Sequence, residues 1–319
     1  MPKIYIYIFS LLGFSMIACK ADILKNTEIE KGPHIAFVIG DDEYRSEESM
    51  PMLARILKRE LNATISLCFS TDSLGFINPN QSDNIENLEA LDSADLMVIF
   101  TRFRALPDTQ LKHIVDYAES GKPMVGFRTS THAFLYKDNT SKVQMNNDWP
   151  TEVFGQQWIT HHGHFDDGKY PLTSVEIIAE KFGQPILHGV EPFKAYSWLY
   201  HVDGGEWSLS GDSDPILRGI SLKSSHEMKG SLDEYPLENP VAWTKSYQNA
   251  RVFFTTLGHP KDFKDASMRS LALNGMYWAL GLEEKIPWEG FNVDIEGYYL
   301  PNRSGFGEKY KKGLTKAKI

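Results

Sequence analysis

Only two cysteines, Cys19 and Cys68, occur in 319 residues. If Cys19 carries lipid, as argued below, Cys68 is the only thiol left, and stability has to come from buried apolar side chains and not from cross-links. Positive charge is scarce too: 33 Lys and Arg against 42 Asp and Glu leave a net charge of -9. That argues against a nucleic-acid surface, because phosphate binding needs clustered cations. The basic tail at Lys309, Lys311, Lys312, Lys316 and Lys318 is the exception and reads as a solvated end. No apolar run reaches the length of a membrane span, and no period repeats along the chain. No stretch is rich enough in Pro, Gly or Ser to cut the body into two domains. What is present is a folded composition, 42% hydrophobic and 12% aromatic, ample for a core.

Residues 1–19 form a separate unit. Lys3 precedes an apolar run from Ile4 to Ile17, which closes with Ser15-Met16-Ile17-Ala18-Cys19. This has the form of a secretory signal ending in a bacterial lipobox. It predicts cleavage before Cys19, lipidation of Cys19, attachment to the membrane through that lipid, and residence in the bacterial cell envelope, periplasmic or at the cell surface. An ordinary cleaved signal with Cys19 incidental is the alternative. Residues 20–32 are polar and read as a tether. Cys68, inside Ile65-Ser66-Leu67-Cys68-Phe69, reads as a core thiol rather than a nucleophile.

From Pro33 strands alternate with helices. His34–Ile39 is a continuous apolar run, the mark of a strand buried on both faces. Met52, Leu53, Ile56, Leu57 and Leu61 recur at helical spacing, with Pro51 placed in the first turn of that helix. Further strands are expected at Thr64–Phe69, Leu96–Phe100 and Met124–Phe127, with a helix through Leu111, Ile114, Val115 and Ala118. Such alternation predicts a mostly parallel sheet with helices on both faces, an α/β fold. Shorter strands are expected at Ser174–Ala179, Tyr196–Tyr200, Ile216–Leu222 and Val241–Thr244. The last pairs with Arg251–Leu257 through Tyr247-Gln248-Asn249-Ala250, and a final helix runs from Ala266 to Leu282. One domain over 33–283 followed by an extension over 284–319 is the simplest division.

Ligands of open α/β sheets collect outside the carboxyl ends of the strands. The loops there carry Gly40-Asp41-Asp42-Glu43-Tyr44-Arg45, Thr101-Arg102-Phe103-Arg104, Arg128-Thr129-Ser130-Thr131-His132 and Gly258-His259-Pro260-Lys261-Asp262. Carboxylates, guanidinium groups and imidazoles on one rim suit a hydroxyl-rich or anionic ligand. Three of the ten histidines crowd into His161-His162-Gly163-His164. In extended backbone His162 and His164 would converge while His161 faces away. Two converging imidazoles can hold a divalent metal such as zinc or relay a proton, although the spacing matches no known zinc signature. A polar loop whose histidines only bond backbone is the plainer alternative. Trp158, Phe103 and Tyr44 are available to stack on a ring or to fill the core.

Gly121-Lys122-Pro123-Met124-Val125-Gly126-Phe127-Arg128 has the form of the strand leading into a nucleophile elbow in class I glutamine amidotransferase-like proteins. Arg128 stands where an amidotransferase needs cysteine, and neither Ser130 nor Thr131 lies in a G-x-S-x-G context. Acyl transfer through a nucleophile is thereby disfavoured. Several runs together resemble the ThuA-like family, named for trehalose utilisation, within the flavodoxin-like, amidotransferase-like folds. They are Gly40-Asp41-Asp42-Glu43-Tyr44, Val125-Gly126-Phe127-Arg128-Thr129-Ser130-Thr131-His132, the histidine run, Pro240-Val241-Ala242-Trp243-Thr244 and Arg251-Val252-Phe253-Phe254-Thr255-Thr256-Leu257-Gly258-His259. Many ThuA-like proteins carry histidine at the elbow, from which Arg128 departs. The resemblance implies the processing of sugars, including oxidised 3-keto disaccharides.

Two readings follow. In the first, an exported enzyme acts on a carbohydrate or keto-sugar, whose ketone acidifies the neighbouring C–H. His162, His164 or Glu43 would be the base, Arg128 or a histidine-held metal would steady the enolate, and His132 and His259 would move protons or ligate the metal. Asp41, Asp42, Tyr44, Arg102, Trp158 and His161 would bind the sugar. In the second, the chain is a non-catalytic, lipid-anchored sugar-binding or scaffold module, which the missing nucleophile favours. A homodimer is compatible with either.

Overall fold

A computed structural model describes residues 1–3, 32–137, 140–163, 165 and 167–316. Residues 4–31, which hold most of the expected signal, the expected lipidation site Cys19 and all but the last residue of the tether, lie outside the described residues. Within the body, strand β1 (His34–Gly40) is buried along nearly its whole length, as its unbroken apolar sequence requires. Helix α1 (Ser46–Leu61) follows, then β2 (Thr64–Phe69), β3 (Leu96–Thr101), helix α2 (Asp108–Glu119) and β4 (Met124–Phe127). Because α1 begins at Ser46, Pro51 falls in its second turn, not the first. Its missing N–H then leaves the carbonyl of Glu47 without a helical donor.

Next come helix α3 (Asp148–Phe154), the short strand β5 (Thr160–His161), β6 (Thr173–Ile177), β7 (Phe193–Ala195) and β8 (Tyr200–His201). The chain continues through β9 (Asp214–Ser221), helix α4 (Ser225–Lys229), β10 (Glu238–Tyr247), β11 (Ala250–Thr255) and helix α5 (Ala266–Ala279). The single strand expected at Tyr196–Tyr200 is thus two pieces, β7 and β8, with Trp198 between them.

Among the described residues nine strands make one sheet in the order β2-β1-β3-β4-β11-β10-β9-β6-β7, and β5 and β8 make a second, two-stranded one. From β2 to β11 every neighbouring pair is parallel, and from β11 to β7 every pair is antiparallel. The parallel half has the flavodoxin-like order, with its switch of direction between β1 and β3. The β10–β11 hairpin turns through Gln248 and Asn249, both left-handed (φ 49° and 63°), as a two-residue turn of this hand demands.

The two faces of the sheet carry separate cores. Alternate residues Ile35, Phe37 and Ile39 pack with α1 and α5, and Ala36 and Val38 pack with α2 and α3. The α/β arrangement therefore places helices on both faces, α1 and α5 on one and α2 and α3 on the other. Among the described residues no helix is long and apolar enough to cross a membrane.

Candidate functional site

The loops after β1, β3 and β4 meet at the switch point, as the topology dictates. Asp41 organises the first of them. Its carboxylate accepts the N–H of Glu43 at 2.7 Å, the N–H of Tyr44 and the hydroxyl of Thr129. Asp41 is fully buried, so it shapes the loop rather than touching a ligand. The turn it locks carries Glu43 and Tyr44 outward into a cavity of about 240 Å³, lined also by Arg102, His132, Trp158, His161, Trp198, Tyr200 and Phe306.

Arg102 is the centre of charge there. Its guanidinium lies 3.0 Å from Asp42 and 3.3 Å from Glu43, and rests on the rings of Phe103 (4.2 Å) and Phe306 (4.6 Å). Burial pushes the Glu43 carboxyl up to about 7; Arg102 opposes the rise, and the Asp41 and Asp42 charges add to it. A carboxyl that titrates near neutrality beside a cation is suited to give or take a proton. His132, tucked against Phe103, Trp158 and Tyr200, is driven the other way. Burial, then the charges of Arg102, Arg128 and His161, hold it well below the ordinary histidine value. It therefore stands neutral at pH 7, a hydrogen-bonding group rather than a strong base.

The histidine run divides as alternation requires, with the opposite outcome to that expected. β5 pairs Thr160 with His201 and His161 with Tyr200, so His161 shares the cavity face with Tyr200. Its ring packs on Trp198 at 4.7 Å. His162 turns to the far side with His201 and His226, where its Nδ1 lies 2.7 Å from Ser224 Oγ. Burial and its two histidine neighbours depress its pKa to about 4. His162 thus does not meet the cavity, and His164, its expected partner for a metal, lies outside the described residues. Among the described residues no group of three or more His, Cys, Asp or Glu is arranged to hold a metal ion.

Arg128 occupies the elbow with φ 39°, the left-handed geometry of a tight strand-to-turn reversal. Its side chain is wholly buried. The guanidinium is sandwiched between Tyr44 (4.1 Å) and Tyr200 (4.5 Å) and donates to Thr256 O at 2.8 Å and Tyr44 Oη at 3.0 Å. Burial works against its charge, but the phenolic oxygens of Tyr200 and Tyr44 outweigh this and keep its pKa above the usual arginine value. Arg128 sits behind two rings and cannot reach an enolate itself; it fixes Tyr44 and Tyr200, which do face the cavity.

His259 is also set back. It lies beyond Tyr44, with its Nδ1 accepting the N–H of Lys261 and its Nε2 3.0 Å from Ser304 Oγ and 3.5 Å from Asp167. Serine, histidine and aspartate are therefore together, but not as a catalytic triad. Nδ1 is already an acceptor, so the proton sits on Nε2 and cannot be traded for that of Ser304. Ser304 in turn bonds Asp167. The three groups form a latch.

Of the expected residues, Glu43, Tyr44, Arg102, His132, Trp158 and His161 line one cavity, with Asp42 bound to Arg102; Asp41, Arg128, His162 and His259 stand behind it or apart from it. Trp198, Tyr200 and Phe306 were not singled out from sequence. The i, i+2 spacing of Trp198 and Tyr200 was a usable signal; nothing local marks Phe306.

The family model described as ThuA, trehalose utilisation, matches residues 48–279. No curated protein matches the chain. Among solved structures, a protein described as ThuA-like from Bacteroides uniformis ATCC 8492 is similar at 17% identity, covering 78% of this chain and 92% of that one with a TM-score of 0.49. Another described as ThuA-like, from Parabacteroides merdae ATCC 43184, is 15% identical over 89% of this chain and 100% of that one, with a TM-score of 0.49. The carbohydrate deacetylase Agd3 is 11% identical over 79% of this chain and 32% of that one, with a TM-score of 0.44. The match over residues 48–279, which takes in the elbow and most of the cavity wall, shows that the chain belongs to the ThuA family.

Proposed function

We propose that the protein is an exported, lipid-anchored enzyme of the cell envelope that processes a carbohydrate of the 3-keto-glycoside type. The observation that carries this reading is Glu43, held near a neutral pKa in an aromatic cavity beside Arg102. Indole and phenol rings of Trp158, Trp198 and Tyr200 suit the apolar face of a pyranose. A C3 ketone acidifies the C2–H. Glu43 as carboxylate takes that proton, and the C–H electron pair moves to make the enolate. Its negative oxygen is met by Arg102 and the cavity hydrogen-bonding groups. Collapse of the enolate breaks the C1–O bond, and the departing oxygen takes up the proton that Glu43 removed from C2, leaving an unsaturated keto-sugar, the released alcohol and Glu43 again as carboxylate. His132, neutral at working pH, orients hydroxyls.

The elbow supports a second reading. Arg128 replaces a nucleophile there and is fully engaged in packing, which suits a non-catalytic sugar-binding module. Incubation with methyl 3-keto-glucoside, followed by NMR, separates the two. Turnover in the wild type that is lost in Glu43→Gln while binding persists is the enzyme result. Binding without turnover in the wild type is the module result, and absence of both defeats each reading.

A further inference from the structure

The two peptide groups that flank Glu43 carry four polar atoms, and each of them is bonded. The N–H groups of Glu43 and Tyr44 both reach the Asp41 carboxylate. The carbonyls are held by other parts of the chain. Glu43 O accepts the N–H of Gly305 at 2.8 Å, and Asp42 O accepts from Arg45 Nη2 at 2.5 Å. The same Nη2 donates to Gly305 O at 3.0 Å, so one guanidinium nitrogen ties the Glu43 loop to the C-terminal segment. That segment is itself anchored: Ser304 is latched to His259 and Asp167, and Lys311 reaches Glu48 at 2.9 Å. Phe306 closes the circuit, because its ring lies on Arg102, whose Nε is 3.3 Å from Glu43. Glu43, Arg45 and Gly305 all lie outside the matched residues 48–279.

Packing alone does not explain Arg45. It is wholly buried, and its φ of 54° lies in the left-handed region that a residue with a Cβ seldom adopts. Its Nε and Nη1 have no hydrogen-bond partner among the described residues, and the Glu47 carboxyl stands 3.7 Å from Nη1. A buried donor without an acceptor works against stability. The one engaged nitrogen, Nη2, is what accounts for the residue. We infer, on the basis of the reading of Glu43 as the proton-transfer group, that Arg45 is a positioning residue. With Gly305 it fixes the carbonyl half of the Glu43 turn, as Asp41 fixes the N–H half, and so holds the carboxyl beside Arg102. A base held in place before the ligand arrives needs no reorientation in the transition state. Arg45 does not line the cavity, so its effect falls on turnover and not on binding.

The test compares the wild type with Arg45→Gly and Arg45→Lys on methyl 3-keto-glucoside. Glycine accepts the left-handed backbone without strain, and lysine keeps a cation without the planar fork. The expected result is a kcat lower by about thirtyfold in Arg45→Gly and about fivefold in Arg45→Lys, with KM changed less than about threefold. Added guanidinium ion, below denaturing concentration, should restore Arg45→Gly about fivefold and leave the wild type unchanged. A second readout needs no sugar. At pH 8 the gap in melting temperature between a protein and its Glu43→Gln partner measures how firmly the carboxyl is held in its buried place. That gap should shrink by about a third or more in the Arg45→Gly background, where Asp41, Asp42, Arg102 and Arg128, the charged groups that act on Glu43, are all retained. If glycine impairs folding, the lysine variant carries both readouts. An unchanged kcat, a loss confined to KM, or a fall in kcat with the gap unchanged each overturns this inference and leaves Glu43 as the base. No turnover by the wild type overturns the enzyme reading, and this inference with it.

Discussion

Replacing Glu43 by Gln isolates the group on which the chemistry rests, and half of the experiment needs no substrate. In the unfolded chain the carboxyl titrates near 4.5, and burial raises it to about 7 in the fold. Because the folded value is raised, the folded state keeps its proton over a range where the unfolded state has lost it. Stability therefore falls as pH rises from 4.5 to 7 and stays level above. The full difference is worth roughly 3 kcal/mol. With the side chain 13% exposed and Arg102 at 3.3 Å, about 1.5–3 kcal/mol is the reasonable range. Glutamine cannot ionise and fills the same space. Thermal melts of both proteins should agree near pH 4.5, and the variant should melt roughly 3–6 °C higher at pH 8. On the kinetic side, kcat/KM of the wild type should climb with an apparent pKa near 7 as the carboxylate forms, and the variant should lose at least a hundredfold. Parallel melting curves for the two proteins from pH 4.5 to 8 would refute the claim that Glu43 is buried at a cost, and with it the case for Glu43 as the proton-transfer group.

Other consequences can be measured as directly. His162, depressed from 6.5 to about 4, takes up its proton more readily when unfolded, so stability should drop as pH falls from 6.5 to 4; His162→Asn should flatten that limb of a urea-denaturation series, and an unchanged slope would count against its burial beside His226. A Cβ at Gly163 would collide with the Trp198 indole, so Gly163→Ala should displace the indole, shift the tryptophan emission and weaken sugar binding at least tenfold. Arg128→Ala removes a fully buried side chain and leaves the Thr256 carbonyl without its donor. It should cost roughly 3 kcal/mol or more in urea, and a loss below 1 kcal/mol would show that the guanidinium supports little.

The parallel half of the fold was legible because β1, β3 and β4 are buried on both faces and so write themselves as apolar runs between turns, while the edge strand β2 shows as a short alternating run. β2 and β4 have the bounds their sequences suggest. The rest was less so: Phe193–Ala195 at the antiparallel edge and Tyr200–His201 in the small second sheet are too short for a period to register. At the site, strand-end loops announced Glu43, Tyr44, Arg102 and His132, since the switch point follows from topology. The histidine run obeyed alternation, but which face met the cavity depended on β5 pairing with β8, a contact forty residues apart that no local pattern encodes. Phe306 was invisible for the same reason, its place being fixed by bonds to Glu43 and Arg45 across most of the chain.

Arg128 plugs the space between two phenol rings, and this makes one position a depth gauge. A smaller side chain there would let the pocket floor sink toward the Thr256 carbonyl, admitting a bulkier or more deeply seated ligand at the expense of fold stability. The depth of the cavity is thereby set by a residue outside its lining, and a library randomised at that codon alone, in a stabilised background, tests whether size selection shifts with it.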